Sequence, residues 1–276
     1  MTKFIFIFIF SLLSATLLAS EWVSPIDKKY LAKNQELFSM FNEARQMLNS
    51  WRGQGDKLQE SDRLLQNILE KDSEFAPAYR EYGRLYIMAG YVNYENYEDG
   101  SLNPSETSIL KSLEIEPDYA DSYVLLGHLY TKMKRYSEAA TALRKAEEIG
   151  TEIPWLQLNW ADLLIKLNKY TEAMQRYQHL VKNGTSNRKA YTSALSGVTT
   201  MHMYLDQYDK ANEGYKQELE HSPNDAWTWG NYSNFLLFTY NDVDILSRNF
   251  SAYLQNKLGI KKGQLIGLMC PNNLPF

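Results

Sequence analysis

The 276-residue chain has one cysteine, Cys270, so it can form no intramolecular disulfide and no cysteine-based metal cluster. Its four histidines (His128, His179, His202 and His221) show no HxxxH-type metal-ligand spacing. For His128 and His202, helix packing is expected rather than catalysis. No GxSxG, HExxH, Walker-type or GxGxxG sequence occurs. Carboxylate pairs such as Glu147-Glu148 fall on polar helix faces, where charge runs are normally solvated, and none stands out as an acid/base couple. Positive charge is also scarce: the formal net charge is −4, with no basic stripe interleaved with aromatics, which argues against phosphate neutralisation and a nucleic-acid partner. These absences predict no enzyme, no metal, no cofactor and no small-molecule substrate.

What remains is a globular composition, 44% hydrophobic and 22% charged, with 20 tyrosines. The N-terminus carries Lys3 and then the apolar or small stretch FIFIFIFSLLSATLLA, which predicts a secretory signal peptide over residues 1–20. The stretch also fits an uncleaved anchor over 4–19, because it approaches spanning length and Leu17 or Leu18 makes a poor −3 position. Export to a bacterial periplasm suits the lack of disulfides. Three N-glycosylation triplets, at Asn183, Asn231 and Asn249, matter only in a eukaryotic secretory pathway.

From about residue 60 to 240 the sequence repeats itself. ADSYVLLGHLYTKMKRYSEAATALRKAEEIG (120–150) aligns with PWLQLNWADLLIKLNKYTEAMQRYQHLVKNG (154–184) at an offset of 34. A third copy, offset by 38, carries Val198, Tyr208, Ala211, Tyr215 and Pro223; an earlier copy begins AYREYGRLY (78–86) and a fifth AWTWGNYSNFLLF (226–238). Tyr123, Leu126 and Tyr130 lie at i, i+3 and i+7, one face of a helix. Gly83 and Gly127, with Ala139, Ala173 and Ala211, are small where two helix axes should approach. Tyr136, Tyr170 and Tyr208 should begin second helices, and Pro117 and Pro223 should end units. One such hairpin cannot bury its apolar face alone, so the units are expected to stack.

Tyr123-x2-Leu126-Gly127-x2-Tyr130 followed by Ala139-x3-Leu143 resembles the tetratricopeptide repeat signature. Tyr79-x2-Tyr82-Gly83-x2-Tyr86 resembles it again, and Gln157-x2-Trp160-Ala161-x2-Leu164 more loosely. The third copy departs, with Thr199 at the small position and His202 where tyrosine is usual. The resemblance implies an all-α, right-handed superhelical solenoid of antiparallel helix pairs. It also implies a protein or peptide partner in the concave groove lined by the first helices. On that mapping the groove comprises Arg80, Arg84, Asp121, Val124, His128, Leu158, Asn159, Asp162, Trp227, Asn231 and Asn234. Arg80 and Arg84, one turn apart, could grip a carboxylate or link to a nearby acidic loop. That loop, YVNYENYEDGSLNP (91–104), is longer than the usual turn and reads either as a recognition loop or as a helix end with a solvated loop.

The expected organisation is a signal peptide or anchor (1–20), a linker (21–34), an N-terminal helical pair (35–75), the repeats (76–244) and a foreign tail (245–276). Residues 245–258 are amphipathic, but beyond them the period changes. Residues 245–276, with Ser247, Leu254, Leu258-Gly259-Ile260-Lys261-Lys262-Gly263, Ile266-Gly267-Leu268 and Pro271-Asn272 in order, resemble the opening of long-chain fatty acid–CoA ligases of the adenylate-forming family, with Gln264 where aspartate is usual. They include none of that family's phosphate loop, adenylate-binding segment or catalytic lysine, so the tail implies at most a catalytically inactive fragment. An exported protein-interaction scaffold is the expected function. The rival is a truncated or fused acyl-CoA ligase piece.

Overall fold

In the computed structural model, residues 22–93, 96–98, 100–240, Tyr253, 255–257, Gly259 and Lys261 are described. Twelve α-helices account for nearly all of the regular structure among them: α1 (Pro25–Lys33), α2 (Gln35–Ser50), α3 (Gly55–Lys71), α4 (Ala76–Ala89), α5 (Asn103–Ile115), α6 (Ala120–Lys132), α7 (Tyr136–Ile149), α8 (Trp155–Lys166), α9 (Tyr170–Asn183), α10 (Arg188–Tyr204), α11 (Tyr208–His221) and α12 (Ala226–Tyr240). From α2 onward they pair as α2–α3, α4–α5, α6–α7, α8–α9 and α10–α11, and each pair packs on the next. The architecture is an all-α solenoid.

The small residues set the approach distance within pairs. A Cβ on Gly127 would lie 2.5 Å from Leu143 Cδ2, and one on Gly83 would lie 2.4 Å from Ile109 Cγ1. Such distances are far inside van der Waals contact, so only glycine permits these crossings. Ala139, Ala173 and Ala211 are fully buried, and Tyr136, Tyr170 and Tyr208 are the first residues of α7, α9 and α11. Two residues before each tyrosine the chain turns through the left-handed region, at Lys134 (φ 61°), Asn168 (φ 58°) and Asp206 (φ 55°). Asn168 and Asp206 each accept a hydrogen bond from the following tyrosine hydroxyl, at 2.9 and 2.8 Å.

Two expectations need correction. Residues 25–33, expected within a linker, form α1, because Ser24 caps Asp27 N and Pro25 supplies a preset φ at the first turn. The helix is held by its side chains: the Tyr30 hydroxyl donates to Glu74 O and to Glu116, while Lys29 pairs with Glu116 and Lys33 with Asp72. It thereby straps the turns that lead into α4 and α6. The long insertion after α4 is neither a helix end nor a plain loop. It contains a short antiparallel hairpin, β1 (Tyr91–Asn93) and β2 (Asn96–Tyr97), whose Tyr91 meets the Tyr97 and Trp51 rings edge-on. The expected tail (245–276) lies almost wholly outside the described residues.

The core is unevenly distributed. One continuous apolar cluster runs from Tyr30 to Leu163 and includes Phe41, Phe75, Tyr119 and Leu129, all sealed from solvent. Beyond it lie three small clusters: Leu158, Leu180, Ala190 and Ala194; Ala161, Ala173 and Met201; and Ala211, Tyr215 and Phe235, each flanked by larger half-buried side chains. First helices pack on one another from α2 through α4, α6 and α8 to α10, but α10 and α12 have no comparable contact.

Candidate partner-binding groove

Arg80 and Arg84 sit one turn apart on α4, as their spacing requires, and between them they do grip a carboxylate. It is the chain's own: Glu81 takes Arg80 Nη2 at 2.6 Å and Arg84 Nη1 at 3.1 Å. Arg80 also reaches Asp121 at 3.3 Å. Asp121 accepts from the Thr151 hydroxyl at 2.9 Å, Asp27 pairs with Arg45 at 3.3 Å, and the Tyr119 hydroxyl donates to Asp27. Burial alone would push Glu81 upward, but Arg84, Arg80 and Arg45 outweigh it and hold the carboxyl below the usual range. Burial raises Asp121, with Arg80 opposing only in part. This network ties α1, α2, α4 and α6 together inside the protein.

Arg80, Asp121 and Val124 are therefore removed from the set of groove-lining residues. Each is buried, at 6%, 5% and 2% exposure, and a side chain so enclosed meets neighbours rather than a ligand. Leu158 is likewise buried, in a cluster with Leu180, Ala190 and Ala194. Among the described residues the acidic partners of Arg80 and Arg84 are Glu81 and Asp121; Glu95 and Asp99 of the acidic loop lie outside the described residues.

The remaining residues of the α4–α8 face come together. Arg84 donates to Asn49 Oδ1 at 2.7 Å and keeps further N–H groups. His128 on α6 is pushed down to about 4, first by burial and then by Lys132 and Arg84, against the opposing Asp162 and Asn159. Asp162 on α8 pairs with Lys132 at 2.8 Å, and Asn159 donates to Val124 O at 3.1 Å. Lys189, on the first turn of α10, belongs to the same surface. Its ammonium stands 6.0 Å from the Trp155 ring centre and is depressed by partial withdrawal from water, then by the charges of Arg52 and Arg84. No carboxylate lies within ion-pair distance of Lys189 among the described residues.

Sequence reasoning missed Arg52, Lys132 and Lys189. Lys189 escaped because α10 has 17 residues where α6 has 13 and α8 has 12, so a repeat template of standard length leaves its first turn out. The 38-residue offset was the available signal. Trp227, 52% exposed, borders a cleft further along the same helices, whereas Asn231 and Asn234 do not line it. Among the described residues no group of histidine, cysteine, aspartate and glutamate is placed to hold a metal, and no helix is long and apolar enough to cross a membrane.

Residues 120–149 match the tetratricopeptide repeat family model. A curated relative, the Arabidopsis thaliana protein CTR9 homolog, is 25% identical over 122 residues, which is 44% of this chain but only 11% of that protein. Among solved structures, the APC/C hetero-tetramer Cut9–Hcn1 superposes with a TM-score of 0.63 at 16% identity, covering 85% of this chain and 43% of that one. PilW, titled a type IV pilus biogenesis factor, gives 0.63 at 14% identity, covering 83% and 96%. Pseudomonas aeruginosa pilF gives 0.58 at 14% identity, covering 82% and 93%. At these identities the likeness concerns fold. Family model and superpositions agree on the fold: an all-α solenoid of the tetratricopeptide-repeat type.

Proposed function

We propose that the protein is a scaffold that holds an acidic peptide segment of a partner across Arg84, His128 and Lys189. One observation carries this reading: Lys189 is an ammonium whose charged neighbours, Arg52 and Arg84, are also positive. Such a local field attracts carboxylates even though the whole chain is acidic, because charge acts over about 10 Å at ordinary salt. The Lys132–Asp162 pair and the neutral His128 give the neighbouring wall hydrogen-bonding groups without adding net charge. The N-terminal stretch 4–19 supports placing this scaffold in the export pathway, where it would assist assembly of an envelope complex. PilW, a type IV pilus biogenesis factor of similar fold, is a further pointer in that direction. The ligase-fragment reading rests on the sequence resemblance at 245–276 alone.

Fluorescence anisotropy with the full chain tests the groove. A labelled peptide bearing four glutamates should bind, its glutamine counterpart should not, and Lys189→Ala should weaken binding by about fivefold or more. Raising the salt should weaken it further. Equal binding of the two peptides, or an unchanged Lys189→Ala protein, would remove this assignment.

A further inference from the structure

Where α10 and α12 part, a cleft of about 740 Å³ opens between α10, the end of α11 and the start of α12. Arg188, Lys189 and His221 lie on its wall, and the rest of the α10 lining is uncharged. Thr192, Ser193, Ser196 and Thr200 present a row of hydroxyls from α10, the Trp227 indole flanks the opening, and Glu218 forms part of the wall. Glu218 is the anomaly. It is 7% exposed, and its Oε1 has no hydrogen-bond partner. Leaving a buried carboxylate oxygen unpaired costs about 1–3 kcal/mol or more. Burial pushes its pKa up; side-chain hydrogen bonds from Thr199 and Ser196 to the carboxyl act against that, and Asp225, the one charge that bears on it, adds to it. Glu218 thus has a like charge for company and no cation, whereas the buried acids of the α4–α6 network are all matched to arginine.

The missing element is a cation with several donors and an apolar stem. An ammonium has three N–H groups, which Glu218 and two of the hydroxyls could accept together, and its alkyl chain could lie along the exposed indole. A guanidinium is wider and demands a planar fork of acceptors, whereas hydroxyls spaced along one helix suit a compact point charge. Two cations line the cleft, Arg188 and Lys189, but neither is a charge that bears on Glu218; Lys189 leans over Trp155 of α8, and its charged neighbours are Arg52 and Arg84.

We propose that this cleft is a lysine-binding subsite, in which Glu218 with the Ser193 and Ser196 hydroxyls receives a lysine side chain of the bound partner. The inference rests on the peptide-scaffold reading and deepens it. The partner segment would carry acidic residues over the Arg84–Lys189 end and a lysine toward α12. Binding is not covalent, so no proton or bond changes hands beyond the ionisation of Glu218.

The test uses Nα-acetyl-lysine methylamide as the probe, titrated into isotope-labelled full-length protein at pH 7.5. Saturable shifts of the Trp227 indole N–H and the Ser196 and Glu218 amides are expected. Nα-acetyl-norleucine methylamide should leave them in place, since it keeps the stem and loses the ammonium. Glu218→Gln should weaken lysine binding by about tenfold, with helix content by circular dichroism checking that the variant is folded. The lysine–norleucine contrast in the unmodified protein stands even if it is not. Lowering the pH through the raised Glu218 pKa should weaken binding as the carboxyl takes up a proton. Shifts that fail to saturate, equal shifts from norleucine, or a folded Glu218→Gln protein that binds lysine unchanged would overturn the subsite. Those results leave the acidic-peptide assay untouched, and loss of glutamate-peptide binding would leave the lysine titration untouched.

Discussion

The α1–α7 half and the α9–α12 half are built from the same repeat but spend their buried residues differently. In the first half, Phe41, Phe75 and Tyr119 fill one uninterrupted core, and every buried acid faces an arginine. In the second, alanines line small separate clusters, and the buried Glu218 has no cationic partner. Large side chains at unit junctions lock neighbouring pairs together, because each buries about 1.5–3 kcal/mol of apolar surface. Alanines let helices approach without anchoring them. A solenoid so arranged has a rigid end that sets geometry and a looser end where a cleft can exist.

Truncation should break this comparison most severely. Phe75→Ala removes a sealed ring from the turn into α4 and should cost about 3–5 kcal/mol, whereas Met201→Ala, equally buried, sits among alanines and should cost nearer 2. Urea titrations of the two variants check this, and equal losses would mean the halves are equally stabilised. The second-largest effect concerns acid. Burial pushes the His128 pKa down from the usual 6.5 to about 4 and holds the ring neutral, with Lys132, Arg84, Asp162 and Asn159 around it. The unfolded chain therefore binds the extra proton between pH 6.5 and 4, and stability falls as pH falls through that window, by about 2 kcal/mol. His128→Asn should flatten that part of a stability–pH curve. The smallest effect lies at the left-handed turns. Lys134→Gly should stabilise by about 0.5–1 kcal/mol, since lysine tolerates positive φ poorly. Asn168→Gly should gain less, because asparagine accepts that conformation and already holds the Tyr170 hydroxyl. Melting temperatures of the two glycine variants separate these outcomes.

Helix pairing was legible from residues close in sequence. Gly83, Gly127 and Ala139 mark where two axes meet, and the Tyr136, Tyr170 and Tyr208 series marks where second helices begin. Helix α1 was not legible: nine residues with little periodicity are ordered by distant partners, Glu74, Glu116 and Tyr119. Counting along a repeat grouped Arg84, His128, Asn159 and Asp162 on one face, and the structure brings these four together. The same counting also put Arg80, Asp121 and Val124 there, although packing buries all three.

The sequence alone determined the repeat unit, since its small, aromatic and proline positions act within some forty residues and leave little choice of local structure. Only the tertiary structure decided which charges face inward. Arg80 finds Asp121 41 residues away, Tyr119 finds Asp27 92 residues away, and Lys189 feels Arg84 across the two helix pairs between α4–α5 and α10–α11. A charged side chain on a helix carries no local mark of whether it will be matched, exposed or, like Glu218, enclosed without a cation. That depends on how the units stack, because stacking sets the distance between charges and how much water remains between them.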